Sequence, residues 1–193
     1  MSSDQKADLL AYLQMGRDTL LWKLDGLSEY DARRPLTPTG TNLLGLVKHS
    51  AHCEIGYFGD TFGRPYPVQA LDYDADPNAD MYATADESRT DIIDLYRAVW
   101  AHSNETVNTH ALDAVGRVPF WPAERADATL HQLLIHMATE THRHAGHADI
   151  LRELLDGAVG LRQSRSNMAS DDPAFWVDYR DKLAKLAKEA DQG

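Results

Sequence analysis

The sequence predicts an all-α protein, a four-helix bundle carrying an additional C-terminal helix. Apolar residues recur at helical spacing, capping residues punctuate the chain where those runs begin and end, and no stretch alternates over a useful strand length. With 193 residues, 43% of them hydrophobic, the chain is long enough to bury one core. The organisation predicted is a single domain over 1–193, with a core from about 4 to 157 and a C-terminal helix from about 171 to 190.

Leu9, Leu10, Leu13, Leu20, Leu21 and Leu24 mark the first amphipathic helix, over about 4–26. Ser28 to Asp31 resembles a capping box that opens a short helical turn, which Pro35 stops. Thr41 is the predicted N-cap of a second long helix running to about Phe62. The stretch 63–80, with Pro65, Pro67, Pro77 and several Asp, is an irregular connection. Thr84 to Glu87 is a capping box for a third helix reaching about Thr109, on the apolar set Ile92, Ile93, Leu95, Tyr96, Val99 and Trp100. Pro119 and Pro122 bar helix from 116–122, where Phe120 and Trp121 must pack down or cover something. Thr129 opens the longest helix, through Leu155, and Gly157 closes it. Ser170 and Pro173 begin the last.

Charge and composition exclude several classes of function. Thirty Asp and Glu against 19 Lys and Arg leave a formal net charge of −11, which disfavours nucleic acid and anionic membranes as partners. No apolar run approaches the roughly 20 residues of a membrane helix, and the polar start of the chain lacks a signal-peptide pattern. Cys53 is the only cysteine, so no intrachain disulfide forms, and the composition suits a reducing cytoplasm.

The nine histidines are unevenly placed. His49 and His52 lie in the second long helix, while His131, His136, His142, His144 and His147 lie in the fourth. Residues four apart share a helix face, so Glu140 and His144 stand one above the other. His144 falls near the middle of the apolar arc set by Leu130, Leu133, Met137, Leu151 and Leu155, with Glu140 towards one side. His136 and His147 fall at its edge, and His142 points away. An ionised carboxylate inside an apolar arc is costly unless it is paired or holds a metal. A carboxylate and an imidazole are ordinary zinc donors, and a catalytic site needs a third. The second helix offers His49 or His52, on a face that also carries Gly45, Gly56 and Gly59, small enough for close approach. Spacing alone fits a salt bridge equally well. His52, His147 and Arg152 are candidates for supporting or substrate-contacting roles, although Arg152 also has Glu153 and Asp156 within reach on its own helix. Cys53, four residues after His49, has the spacing of a thiol near that site, or of an inert buried cysteine.

The segments Thr41-Asn42-Leu43-Leu44-Gly45-Leu46-Val47-Lys48-His49-Ser50-Ala51-His52 and Glu140-Thr141-His142-Arg143-His144-Ala145-Gly146-His147 carry a family likeness. Together they resemble the DinB/YfiT-like superfamily, in its DUF664 branch, and are similar to the metal-binding domain of mycothiol-dependent maleylpyruvate isomerase. The resemblance implies a four-helix bundle binding a divalent ion through His49, Glu140 and His144, with zinc first and nickel second. Many relatives have histidine where Glu140 stands; glutamate there points to the thiol-linked branch. It also implies mycothiol or a similar low-molecular-weight thiol as co-substrate, and a homodimer.

Two neutral imidazoles and one carboxylate leave a divalent ion near +1 with an open position, suited to activating a thiol or water. The function expected is thiol S-transfer or thiol-assisted isomerisation on a small molecule. The alternatives are a metal-dependent hydrolase and a non-catalytic metal-binding stress or interaction protein.

Overall fold

In a computed structural model, which describes residues 2–191, the chain is a bundle of long helices plus a C-terminal helix. It divides into two compact units, Met1–Ala158 and Val159–Gly193. In the first unit the long helices are α1 (Ser2–Trp22), α3 (Leu43–Glu54), α4 (Arg89–Thr109) and α5 (Leu130–Asp156), with a short α2 at Glu29–Arg33. Helix α1 packs along α5, and α3 along α4 and α5.

The caps explain where most helices start. Ser28 accepts the Asp31 amide at α2. Thr129 and Gln132 form a reciprocal capping box at α5, and Gly157, at φ 79°, ends that helix. Three starts differ from the sequence expectation by one to four residues. Asn42, not Thr41, caps α3, because its side chain reaches the Gly45 amide at 2.7 Å. Ser88 caps α4, while Thr84 and Glu87 close a separate turn just before it. Asp172 caps the last helix, with Pro173 in its first turn.

Two larger differences bear on the site. The second long helix does not run to Phe62 as regular α-helix. After Glu54 it widens into a π-helical turn, Ile55–Gly59, and then tightens to a 3-10 turn, Asp60–Phe62. A small antiparallel ribbon, β1 (Val115–Arg117) with β2 (Asp127–Thr129), also forms where no strand was expected. Three residues are too few for alternation to register in sequence. The ribbon lies against the 3-10 turn, where a Cβ on Gly116 would stand 2.6 Å from Thr61 Cγ2.

Helix α3 is the central element, since almost every residue from Leu43 to Gly59 is buried; His49, His52 and Cys53 are the partly exposed exceptions. The core is two apolar clusters. One gathers Leu20, Leu24, Leu44, Val47 and Ala148; the other gathers Leu13, Phe58, Leu133 and Met137. Between them in sequence on α1, α3 and α5 lie Arg17, Glu54 and Thr141, all at 0% exposure. Arg17 forks onto Glu54 at 2.8 and 2.5 Å and reaches Asn104 at 3.0 Å. Arg17 and Glu54 thus tie α1 to α3 through a fully buried ion pair.

The second unit contains α6 (Pro173–Ala190), on which Phe175, Trp176 and Tyr179 pack ring against ring. Among the described residues no helix is long and apolar enough to cross a membrane.

Candidate metal centre

His49 enters from α3, and Glu140 and His144 from α5. His144 Nε2 lies 2.9 Å from Glu140 Oε1, and His49 Nε2 lies 3.8 Å from the same oxygen. The two imidazoles meet edge to face, with centroids 4.9 Å apart. One donor atom from each of the three residues lies within 4.8 Å of the others. A tetrahedral ion with bonds near 2 Å holds its donors roughly 3.3 Å apart, so side-chain movements of about 1 Å bring this trio to coordination distance.

One observation beyond the donor set fits a cation there. His49 Nδ1 sits 2.7 Å from Asp80 Oδ2, which turns Nε2 towards Glu140. A ligating histidine that donates its second N–H to a carboxylate is a recurrent arrangement around protein-bound metals. His144 Nδ1 is buried without a hydrogen-bond partner.

The electrostatics follow from this packing. Burial works against the His49 imidazolium, yet the hydrogen bonds and charges of Asp80 and Cys53 outweigh it and push its pKa up to about 10. Burial raises the Asp80 carboxyl, but the His49 hydrogen bond and charge bring it below its ordinary value. Glu140 behaves likewise beside His144 and His49. His144 moves the other way, lowered by burial and by the charge of His49 against the pull of Glu140.

The remaining candidates scatter. His52 stays outside the trio, and burial lowers its pKa among the charges of Asp80, Lys48 and Glu87. His147 is exposed, with its ring 5.4 Å from that of His144. Arg152 is held by Asp156 and by the Lys23 carbonyl at 2.8 Å, two turns beyond His144. His142, expected to point away, meets the Tyr12 carbonyl of α1 through its Nε2 at 2.9 Å. Cys53 Sγ stands 3.3 Å from His49 Nε2. The close approach at Gly45 comes from a loop: a Cβ there would fall 1.9 Å from the Met81 carbonyl oxygen. At Gly56 it comes from the Phe120 ring.

Asp80 and Tyr73 are absent from the sequence-derived candidates; burial and the nearby Asp80 carboxylate push the Tyr73 phenol above its ordinary pKa. Both lie in the irregular connection before α4, which the sequence marks only by its prolines and aspartates. Phe120 and Trp121 pack on Tyr57, with centroids 5.2 and 5.8 Å away.

Residues 8–157 match the family model of mycothiol S-transferases, a span that contains His49, Asp80, Glu140 and His144. No curated protein matches the chain significantly.

Proposed function

This chain belongs to the mycothiol S-transferase family, and from that premise we propose that it is a metal-dependent thiol S-transferase or thiol-assisted isomerase acting on a small electrophile. The observation that carries this is the convergence of His49 Nε2, Glu140 Oε1 and His144 Nε2, with His49 anchored from behind by Asp80. A divalent cation held there, zinc before nickel, would supply the Lewis acidity that lowers the pKa of mycothiol or a similar thiol. The chain does the rest. Asp80 fixes the ring of His49, Glu140 balances the charge, and the buried packing of α3 against α5 keeps the donors together.

The test is elemental analysis of the purified protein, followed by chelation, reloading with zinc or nickel, and conjugation of mycothiol to a bimane or haloarene. Turnover that follows the metal supports the proposal; turnover untouched by chelation, or with no thiol at all, refutes it. In this view the protein works in the cytoplasm as a homodimer, the latter checked by sedimentation.

The electrostatics predict a pH dependence. Without a cation, His49 carries two protons at neutral pH, because its pKa lies near 10. Loading displaces the Nε2 proton, so apparent metal affinity should rise about tenfold per pH unit from pH 6 to 9, with one proton released per ion. Calorimetry in buffers of different ionisation enthalpy measures that proton. For folding of the cation-free protein the signs are separate. The raised His49 contributes fully below its ordinary 6.5 and is lost as pH climbs through about 10. The depressed Asp80 contributes above its ordinary 3.8 and is lost as pH falls through its lower folded value. Both contributions are therefore complete from about pH 4 to 6.5. Asp80→Ala should weaken metal binding about 10- to 100-fold in a chelator competition while leaving the three donors in place.

A further inference from the structure

The formal charge is divided unevenly along the chain. Residues 159–193 hold six Lys and Arg against six Asp and Glu, so the net −11 falls wholly on 1–158. Two bundles of that charge repel each other, whereas two C-terminal units do not. A neutral surface is also a poor match for nucleic acid or an anionic membrane. Charge therefore makes the second unit the part where one copy can meet another.

Helix α6 has a face to offer there. Trp176, Tyr179, Leu183, Leu186 and Ala190 recur at alternating intervals of three and four, the a and d positions of a heptad. No residue of α6 is buried, and Tyr179, Leu183 and Leu186 are 44–50% exposed. The Ser170 carbonyl accepts the Trp176 indole N–H at 2.9 Å, and Trp176 packs on Phe175 and Tyr179, which orders the start of this face. A helix of 18 residues with an uncovered apolar stripe is marginal in water by itself.

We propose that α6 pairs antiparallel with α6 of a second copy. The inference rests on the homodimer put forward above, to which it gives a surface, and is independent of the thiol chemistry. Side-chain volume and charge both select the antiparallel arrangement. In it a positions meet d positions, so Leu183 faces the partner's Leu186, and Tyr179 faces the partner's Ala190, small enough to make room for the ring. A parallel pair sets Trp176 on the partner's Trp176 and Tyr179 on the partner's Tyr179, and leaves Ala190 opposite the partner's Ala190. Lys182 and Glu189 both take the g position, and in an antiparallel pair g faces g. Lys182 thus reaches the partner's Glu189, twice by symmetry. In a parallel pair it meets the partner's Ala187, and no ion pair forms. Glu189 lies 3.8 Å from Lys185 on its own helix, loose enough to accept a second cation. Sliding the antiparallel pair by one heptad sets Lys182 against the partner's Lys182, which fixes the register by repulsion. Such an interface is small, under about 1,200 Å² in all, so the association is weak and depends on concentration.

Sedimentation of the full-length protein from about 1 to 100 µM reads the pairing. The parent should pass from monomer to dimer over that range. Leu183→Asp combined with Leu186→Asp should weaken association at least about tenfold, with the thermal unfolding of the bundle unchanged. Lys182→Glu or Glu189→Lys alone should weaken it about three- to tenfold, and the two together should restore it. That restoration also excludes a melted helix as the cause of the single losses. A dimer untouched by the leucine replacements overturns the pairing and keeps the homodimer. A parent that stays monomeric throughout overturns both and leaves the face to be covered within its own chain. Charge reversals that fail to restore one another overturn the antiparallel arrangement.

Discussion

Under the proposed function, a His144→Ala protein is expected to fold, to bind no divalent cation at the trio and to lose thiol transfer by at least about a hundredfold. The reasoning begins with what the substitution leaves behind. Glu140 loses its 2.9 Å partner, but its side chain is 25% exposed, so water can solvate the carboxylate and the bundle need not pay for a stranded buried charge. The two donors that remain, His49 and Glu140, come from different helices and stand 3.8 Å apart, one short of the three protein ligands a catalytic cation needs. A cation that lowers the pKa of its ligand takes several kcal/mol off the barrier, and each 1.36 kcal/mol is tenfold in rate. Elemental analysis reads the first effect, mycothiol conjugation the second, and thermal unfolding of the cation-free proteins checks that the fold is intact. A His144→Ala protein that keeps one ion per chain and full turnover would remove the trio from the mechanism.

The second large effect concerns stability. Arg17 and Glu54 are both fully buried and joined by two hydrogen bonds, with Gln14 and Asn104 completing the guanidinium's partners. Neutralising one member, as in Glu54→Gln, leaves the other charge in the bundle without its counter-ion. Such a change costs about 3–5 kcal/mol, which for a domain of this size lowers Tm by roughly 10 °C. The paired replacement Arg17→Met with Glu54→Leu removes both charges and should recover most of the loss. Thermal melts of the three variants decide it: a single variant costing under about 1 kcal/mol, or a pair whose costs simply add, would contradict the argument.

Arg17 and Glu54 also mark how far sequence reading reaches. Arg17 shares a helix face with Leu13 and Leu20, and Glu54 with Ala51 and Phe58, and nothing local says that residues 37 positions apart will meet in a fork. The same limit divides the candidate site. Glu140 and His144 are one turn apart, so the pitch of the helix alone places them together, and the cost of a carboxylate in an apolar arc singles them out. Asp80 is 31 residues from His49, in a stretch without periodicity, and no rule of spacing points from one to the other. Tyr57 and His136 are 79 residues apart and meet where α3 widens into a π-turn, a local change that the apolar pattern does not announce.

By itself the sequence determined the helices, most of their ends, the i,i+4 pair on α5 and the histidines of α3 as its counterpart, because these rest on local backbone geometry and side-chain chemistry. Tertiary structure alone decided which of His49 and His52 faces Glu140, that Asp80 stands behind the chosen ring, and that Trp121 and His136 close on the Tyr57 oxygen. Those outcomes depend on how far one helix is rotated against another and where a loop is pinned. Packing of the whole core sets both, and no stretch of chain encodes them alone.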